Sequence, residues 1–182
     1  MSNYRRANTP GGTYFFTVNT LGRQRFLTDV DVRRALREGI ALARRMKPFT
    51  INGWVLLPDH LHCIWTLPPH DADFSSRWSI IKRTVTQRCA ARLNRLELLT
   101  ERRRLRHQSS LWQHRFWEHQ IRDEGDFRRH VDYMHWNPVK HGYVTRVADW
   151  PYSTFHRLVR EGLYPIDWGG HPSLDRTEGC GE

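Results

Sequence analysis

Phe49 to Leu57 (FTINGWVLL), Pro58-Asp59 and His60 to Leu67 (HLHCIWTL) form the stretch that decides the fold. Two β-branched and aromatic runs joined by a two-residue break predict a β-hairpin. Upstream, Pro48 stops a helical pattern over Asp29–Lys47, where Val32, Ala35, Leu36, Ile40, Ala43 and Met46 share one face and Arg and Glu take the other. Before it, Thr13–Thr20 (TYFFTVNT) reads as a strand entered from the turn Pro10-Gly11-Gly12. Downstream, Phe74–Leu99 reads as a helix capped by Ser75-Ser76. The arginine-dense Glu101–Ser110 reads as a solvated loop or frayed helix, and Trp112–Arg122 (WQHRFWEHQIR) as a fourth strand. Asp123-Glu124 open a helix to about Lys140, and Pro151–Gly162 is a short last helix.

The order β-α-β-β-α-β followed by helices predicts an α+β fold, a ferredoxin-like sandwich. Its antiparallel β-sheet has helices on one face and an open second face, plus C-terminal helices. No linker composition interrupts residues 1–168, which read as one domain; 169–182 are Gly-, Pro- and Asp-rich and read as a flexible tail.

Composition narrows the partner class. Among 182 residues, 29 are Lys or Arg and 19 Asp or Glu, a net charge of +10. Only Lys47, Lys82 and Lys140 are lysines, so the charge is almost all guanidinium, which suits bidentate phosphate contacts and stacking. The excess points to nucleic acid or another anionic surface. No apolar run approaches the roughly 20 residues of a membrane span, and Met1–Arg6 lacks the apolar stretch of a signal peptide. Cys63, Cys89 and Cys180 have neither zinc-type nor paired spacing. The expectation is a cytoplasmic, nucleoid-associated protein without membrane contact.

Two short motifs carry chemistry. His60 and His62 lie two apart on a strand, so both imidazoles leave the same face and can share one divalent cation. Leu61, Cys63 and Trp65 then point to the helix layer. Alone, a His-x-His is more often a pair of exposed polar residues. In the long helix, Tyr133 and Asn137 share one face a turn apart. A phenol is a weak nucleophile at neutral pH, but a neighbouring cation that polarises a phosphate makes its attack feasible, and an amide oxygen one turn on can be a further ligand. Alone, Tyr133 reads as a core residue and Asn137 as the residue before Pro138.

Together the motifs are recognisable. Pro58-Asp59-His60-Leu61-His62-Cys63-Ile64-Trp65 resembles the histidine–hydrophobic–histidine ("HUH") strand of single-tyrosine transposases. His130-Val131-Asp132-Tyr133, followed by Asn137-Pro138-Val139-Lys140-His141-Gly142, resembles the tyrosine helix of the REP-associated tyrosine transposases, which act on repetitive extragenic palindromes. Gly11–Asn19, Phe74–Trp78, Arg115–His119 and Asp149–His156 agree in order, so the resemblance spans about residues 4–168. The stretch from Arg92 to Arg106 has no clear family pattern.

The resemblance implies a metal-dependent enzyme that cleaves and rejoins single-stranded DNA at REP hairpins. It implies Tyr133 as the nucleophile, His60, His62 and Asn137 as ligands of Mg²⁺ or Mn²⁺, a 5′-phosphotyrosine link with a free 3′-OH, and a monomer or homodimer. Arg5, Arg6, Arg77, Lys82, Arg83, Arg115 and Lys140 lie in or beside the matched segments and are the candidate DNA contacts. Tyr143 is the reserve nucleophile; His119, His130, His135 and His141 are candidate proton carriers or DNA contacts, and His130 and Asp132 candidate tuners of Tyr133. Two other readings remain open at this point. One is a non-catalytic module that binds nucleic acid on its open sheet face through Phe15, Phe16 and Trp54. The other is a phosphodiesterase that uses water in place of the tyrosine.

Overall fold

The computed structural model describes residues 9–169; Arg5, Arg6 and residues 170–182 of the expected tail lie outside the described residues. Four strands, β1 (Thr13–Asn19), β2 (Thr50–Leu56), β3 (His60–Thr66) and β4 (Trp117–Gln120), form one antiparallel sheet in the order β2-β3-β1-β4. Five helices accompany them: α1 (Val30–Met46), α2 (Phe74–Leu93), α3 (Glu101–Leu105), α4 (Glu124–Lys140) and α5 (Phe155–Arg160). The strand order is that of the ferredoxin-like sandwich, as the element order predicts.

Strand alternation sorts the core into two layers. Tyr14, Phe16 and Val18 of β1, with Leu61, Cys63 and Trp65 of β3, face α1 and α2, and all six are inaccessible to solvent. Trp65 stacks on Trp78 of α2 with ring centroids 4.4 Å apart, so both indoles belong to the core. The α2 cap is Asp73, whose carboxylate accepts from the Ser76 backbone N–H at 3.0 Å, and not the Ser75-Ser76 pair.

The opposite face departs from expectation. It is covered by α4 and α5, which pack Val131, Tyr133, Met134 and Leu158 against Phe15, Val55 and Ile64. Gly53 in β2 leaves the space that the buried Met134 side chain fills, and so lets α4 lie close to the sheet. Nothing in the period of a helix says which face of a sheet it will seek. The sheet-face binding module loses its platform: Phe15 is buried beneath α4, and Phe16 lies in the core against the α1/α2 layer.

The fourth strand is shorter than its β-prone run: only Trp117–Gln120 pair with β1, opposite Tyr14–Thr17. Trp112 makes a single bridge to Thr20 and otherwise serves the core. The arginine-dense stretch folds into the end of α2, a 3₁₀ turn and α3. Among the described residues, no helix is long and apolar enough to cross a membrane.

Candidate active site

The antiparallel pairing of β3 with β1 sets the register that matters. It places His60 opposite Asn19 and His62 opposite Thr17 of β1. Both imidazoles project beneath α4 and are buried, with rings 5.0 Å apart and nearly perpendicular.

Each ring is held by one nitrogen and offers the other. His60 Nδ1 lies 2.8 Å from Asp59 Oδ1, and His62 Nδ1 lies 3.0 Å from Thr17 Oγ1. Where Nδ1 donates to that partner, a neutral ring carries its lone pair on Nε2. Both Nε2 atoms are buried without a hydrogen-bond partner. A carboxylate or hydroxyl behind a histidine, with the far nitrogen left open, is the outer support of a metal-binding imidazole. Burial, and next the nearby charge of His60, push the His62 pKa well below its ordinary value, so the ring stays neutral and able to ligate. Burial works to raise the Asp59 pKa, but the His60 hydrogen bond and charge, with Arg23, more than offset it and hold the carboxylate ionised.

The helix supplies the rest. Asp123 caps α4, its Oδ1 accepting from the Asp126 backbone N–H at 2.8 Å, and the helix then runs over the sheet. Tyr133 is 4% exposed, and its ring centroid is 5.4 Å from that of His62. One turn on, Asn137 is fully buried beside His62. Its Nδ2 donates to the Tyr133 carbonyl at 3.2 Å, which turns Oδ1 away, and that oxygen is buried without a partner. Lys140, at the helix end, holds its ammonium 5.4 Å from the centroid of the Tyr133 ring. Two imidazole nitrogens and an amide oxygen, unsatisfied together and without a thiolate, fit a divalent cation that keeps open positions for phosphate oxygens. An orphaned buried acceptor is costly, and these three lie on neighbouring side chains beneath α4.

The remaining candidates divide. Arg77 is not a DNA contact: it is fully buried, its guanidinium paired with Asp71 and donating to the carbonyls of Lys47, Pro48 and Asp73. It ties the start of α2 to the loop between α1 and β2. Arg83, Arg115 and Lys140 are exposed, whereas Lys82 is half-buried and spans the Trp112 and Phe116 rings. Tyr143 is set apart from the imidazole pair, stacked between His141 and Trp150, and burial raises its pKa, which disfavours the phenolate. Asp132 accepts from Tyr164, and His135 is a fully buried neutral ring with its pKa pushed down to about 3, by burial first and then by Arg157. Burial raises the Cys63 thiol well above its usual range, which suits a core residue.

One group escaped the sequence reading. His119 of β4, Asp126 and His130 bring ligand atoms within 4.8 Å of one another. Asp126 accepts from His119 at 2.8 Å and from the Arg122 backbone N–H at 3.0 Å, and His130 Nδ1 reaches its main-chain carbonyl at 2.8 Å. The spacing Asp126-x-x-x-His130 on one helix was visible in the sequence; the strand histidine opposite it was not. The cluster fastens the first turn of α4 to β4.

A ferredoxin-like sheet with a paired-histidine strand beneath a tyrosine-bearing helix is the layout of the single-tyrosine HUH class. Comparison with known proteins narrows it. No family model matches the chain. A REP-associated tyrosine transposase of Escherichia coli K12 is 51% identical over 170 residues, covering 93% of this chain and 92% of that protein. A Haemophilus influenzae relative, assigned by inference to the same transposases, is 42% identical over 177 residues, covering 96% and 97%. A solved structure of a REP-associated tyrosine transposase bound to a REP hairpin superposes with a TM-score of 0.79 at 50% identity, covering 94% of this chain and 93% of that one. The chain belongs to the REP-associated tyrosine transposases, a family in which metal dependence is general.

Proposed function

We propose that this transposase cleaves and rejoins single-stranded DNA beside REP hairpins, with Tyr133 as nucleophile and with His60, His62 and Asn137 holding Mg²⁺ or Mn²⁺. The observation that carries the reading is the convergence of the unpartnered His60 Nε2, His62 Nε2 and Asn137 Oδ1 next to the Tyr133 ring. When bound there, the cation supplies positive charge that draws phosphate oxygens in and offsets the charge that develops on them. Tyr133 Oη forms a bond to the phosphorus as its proton departs. The bond from phosphorus to the 3′ oxygen of the preceding nucleotide breaks, and that oxygen takes a proton. The products are a 5′-phosphotyrosine and a free 3′-OH. Attack by a 3′-OH on the phosphotyrosine runs the same exchange backwards, so strands rejoin without ATP.

Lys140 places a cation beside the reacting phenol, where it favours negative charge. Arg83, Arg115, Lys82 and Lys140 are the described residues we assign to phosphate contacts, with a steep salt dependence of binding. Thr17 and Asp59 hold the imidazoles in place. The enzyme acts on chromosomal DNA in the cytoplasm. A water-using phosphodiesterase would turn over without a covalent stage.

The test is direct. Single-stranded DNA containing a REP palindrome, incubated with the protein and Mn²⁺, is expected to yield a protein–DNA adduct that survives denaturing electrophoresis. EDTA abolishes it, and Tyr133→Phe, which removes one oxygen, abolishes it while leaving hairpin binding. An adduct that persists in Tyr133→Phe overturns the assignment.

A further inference from the structure

Beyond the imidazole pair, rings follow one another away from the site. His141 lies 5.2 Å from His60, and Tyr143 stacks 6.0 Å beyond it. Trp150 then stacks on Tyr143 at 5.5 Å, and Tyr152 meets Trp150 at 5.4 Å. His141 is exposed and the three that follow are half-buried. Guanidinium groups flank the series: Arg25 sits 5.3 Å above Tyr143 and Arg33 4.7 Å above Tyr152.

The series ends in a groove. Between α1, the β2 edge and residues 151–157 lies a cleft of about 580 Å³, lined by Arg33, Arg37, Arg44 and Arg157 with Trp54 and Tyr152, and by no acidic residue. Its walls are fixed. Residues 152–154 pair with β2 through Leu56 N–H to Tyr152 O at 2.9 Å and Thr154 N–H to Trp54 O at 2.8 Å. Arg157 is tied to the Asn52 carbonyl at 2.6 Å and paired with Glu161 at 3.7 Å, whereas Arg37 and Arg44 are exposed on α1.

We propose that the single-stranded DNA flanking the hairpin leaves the scissile phosphate along this ring series and enters the arginine groove. The proposal rests on the reading of the site given above and names where its substrate continues. The rings of the series are packed on one another and under Arg25 and Arg33, so they form the wall that leads to the groove. There, guanidinium groups beside Trp54 and Tyr152 offer a single strand phosphate pairing and aromatic contact. A duplex stem buries its base faces and cannot use the rings. A peptide partner would need a negative charge the groove could read, and the ring series would remain unexplained.

The experiment is equilibrium binding of the full chain in EDTA, which stops the chemistry, to REP hairpins that are blunt or carry a 5′ or a 3′ single-stranded extension. Wild type is expected to prefer an extended hairpin. Arg37→Ala/Arg44→Ala is expected to weaken extended binding on the order of tenfold and to flatten the log–log salt slope by about 0.7 for each phosphate no longer paired with a guanidinium. Blunt binding stays unchanged. Tyr152→Leu, which keeps apolar bulk, is expected to weaken extended binding alone. Equal weakening of blunt and extended hairpins, or no change in either, overturns the proposal. An adduct from wild type with these negative results fails the groove alone. Groove-dependent binding with no adduct fails the cleavage reading and leaves the groove standing.

Discussion

His60 and His62 share one strand face, and each has one ring nitrogen held from behind. An imidazole on a strand becomes a ligand when one nitrogen is held and the other is left to a cavity, and Asp59 and Thr17 do the holding. Asp59→Asn removes the carboxylate charge behind His60 while keeping the size of the side chain in a tight turn. The expected outcome is a Mn²⁺ affinity lowered by about tenfold, read by titration, with Tyr133 chemistry slowed at limiting metal and restored by excess. Unchanged affinity would show that Asp59 supports the turn only. The pairing of His60 with His62 was legible as a two-residue period. The support of His62 by Thr17 was not, because the two residues are 45 apart in the chain and only the strand register brings them together.

At the scale of elements, the sheet is clamped from both sides by different means. On one side α1 and α2 cross closely at Gly39, where a Cβ would lie 3.1 Å from Ile81 Cα and 3.2 Å from its carbonyl oxygen. Gly39→Ala gains about 1 kcal/mol of helix propensity, but it drives a methyl into backbone, and such overpacking costs about 1–3 kcal/mol. The balance predicts a net loss of about 1 kcal/mol and a melting temperature lower by about 2–4 °C for a domain of this size. Scanning calorimetry checks it, and adduct yield per folded molecule should not change, since α1 and α2 lie across the sheet from Tyr133. On the other side, α4 was legible as a helix from Asp123 to about Lys140, and its tyrosine and asparagine were legible as one face. Its placement over the histidines was not. That depends on Gly53 and Met134 interlocking and on α5 supplying Leu158, contacts made between segments far apart in sequence. Arg77 shows the same limit: a basic residue beside a matched motif looks like a phosphate contact until the fold surrounds it with Asp71 and three carbonyls.

For the whole molecule, buried neutral histidines make stability depend on pH. His135 is fully buried with a pKa near 3, against 6.5 when exposed. Between those values the unfolded chain binds a proton that the folded chain refuses, so stability falls as pH falls below 6.5, by about 1.4 kcal/mol per pH unit. His62, lowered by burial, adds a fall of the same sign. Urea denaturation of metal-free protein between pH 7.5 and 5 is expected to show this decline, and His135→Gln to reduce its slope by one proton. An unaltered slope would mean His135 is protonated in the folded state.

What the chain alone determined was local or periodic: strand and helix identity, the two-apart histidines, the one-turn spacing of Tyr133 and Asn137, and a basic surface suited to DNA. Those follow from repeats of 2 and 3.6 residues and from charge, which need no partner segment. The tertiary structure alone decided that α4 closes the second sheet face, that the unpartnered His60, His62 and Asn137 atoms are buried near the Tyr133 ring, and that rings from separate segments line up toward an arginine groove. Each of these joins atoms distant in sequence, and such contacts exist only once hydrophobic burial has chosen how the layers stack.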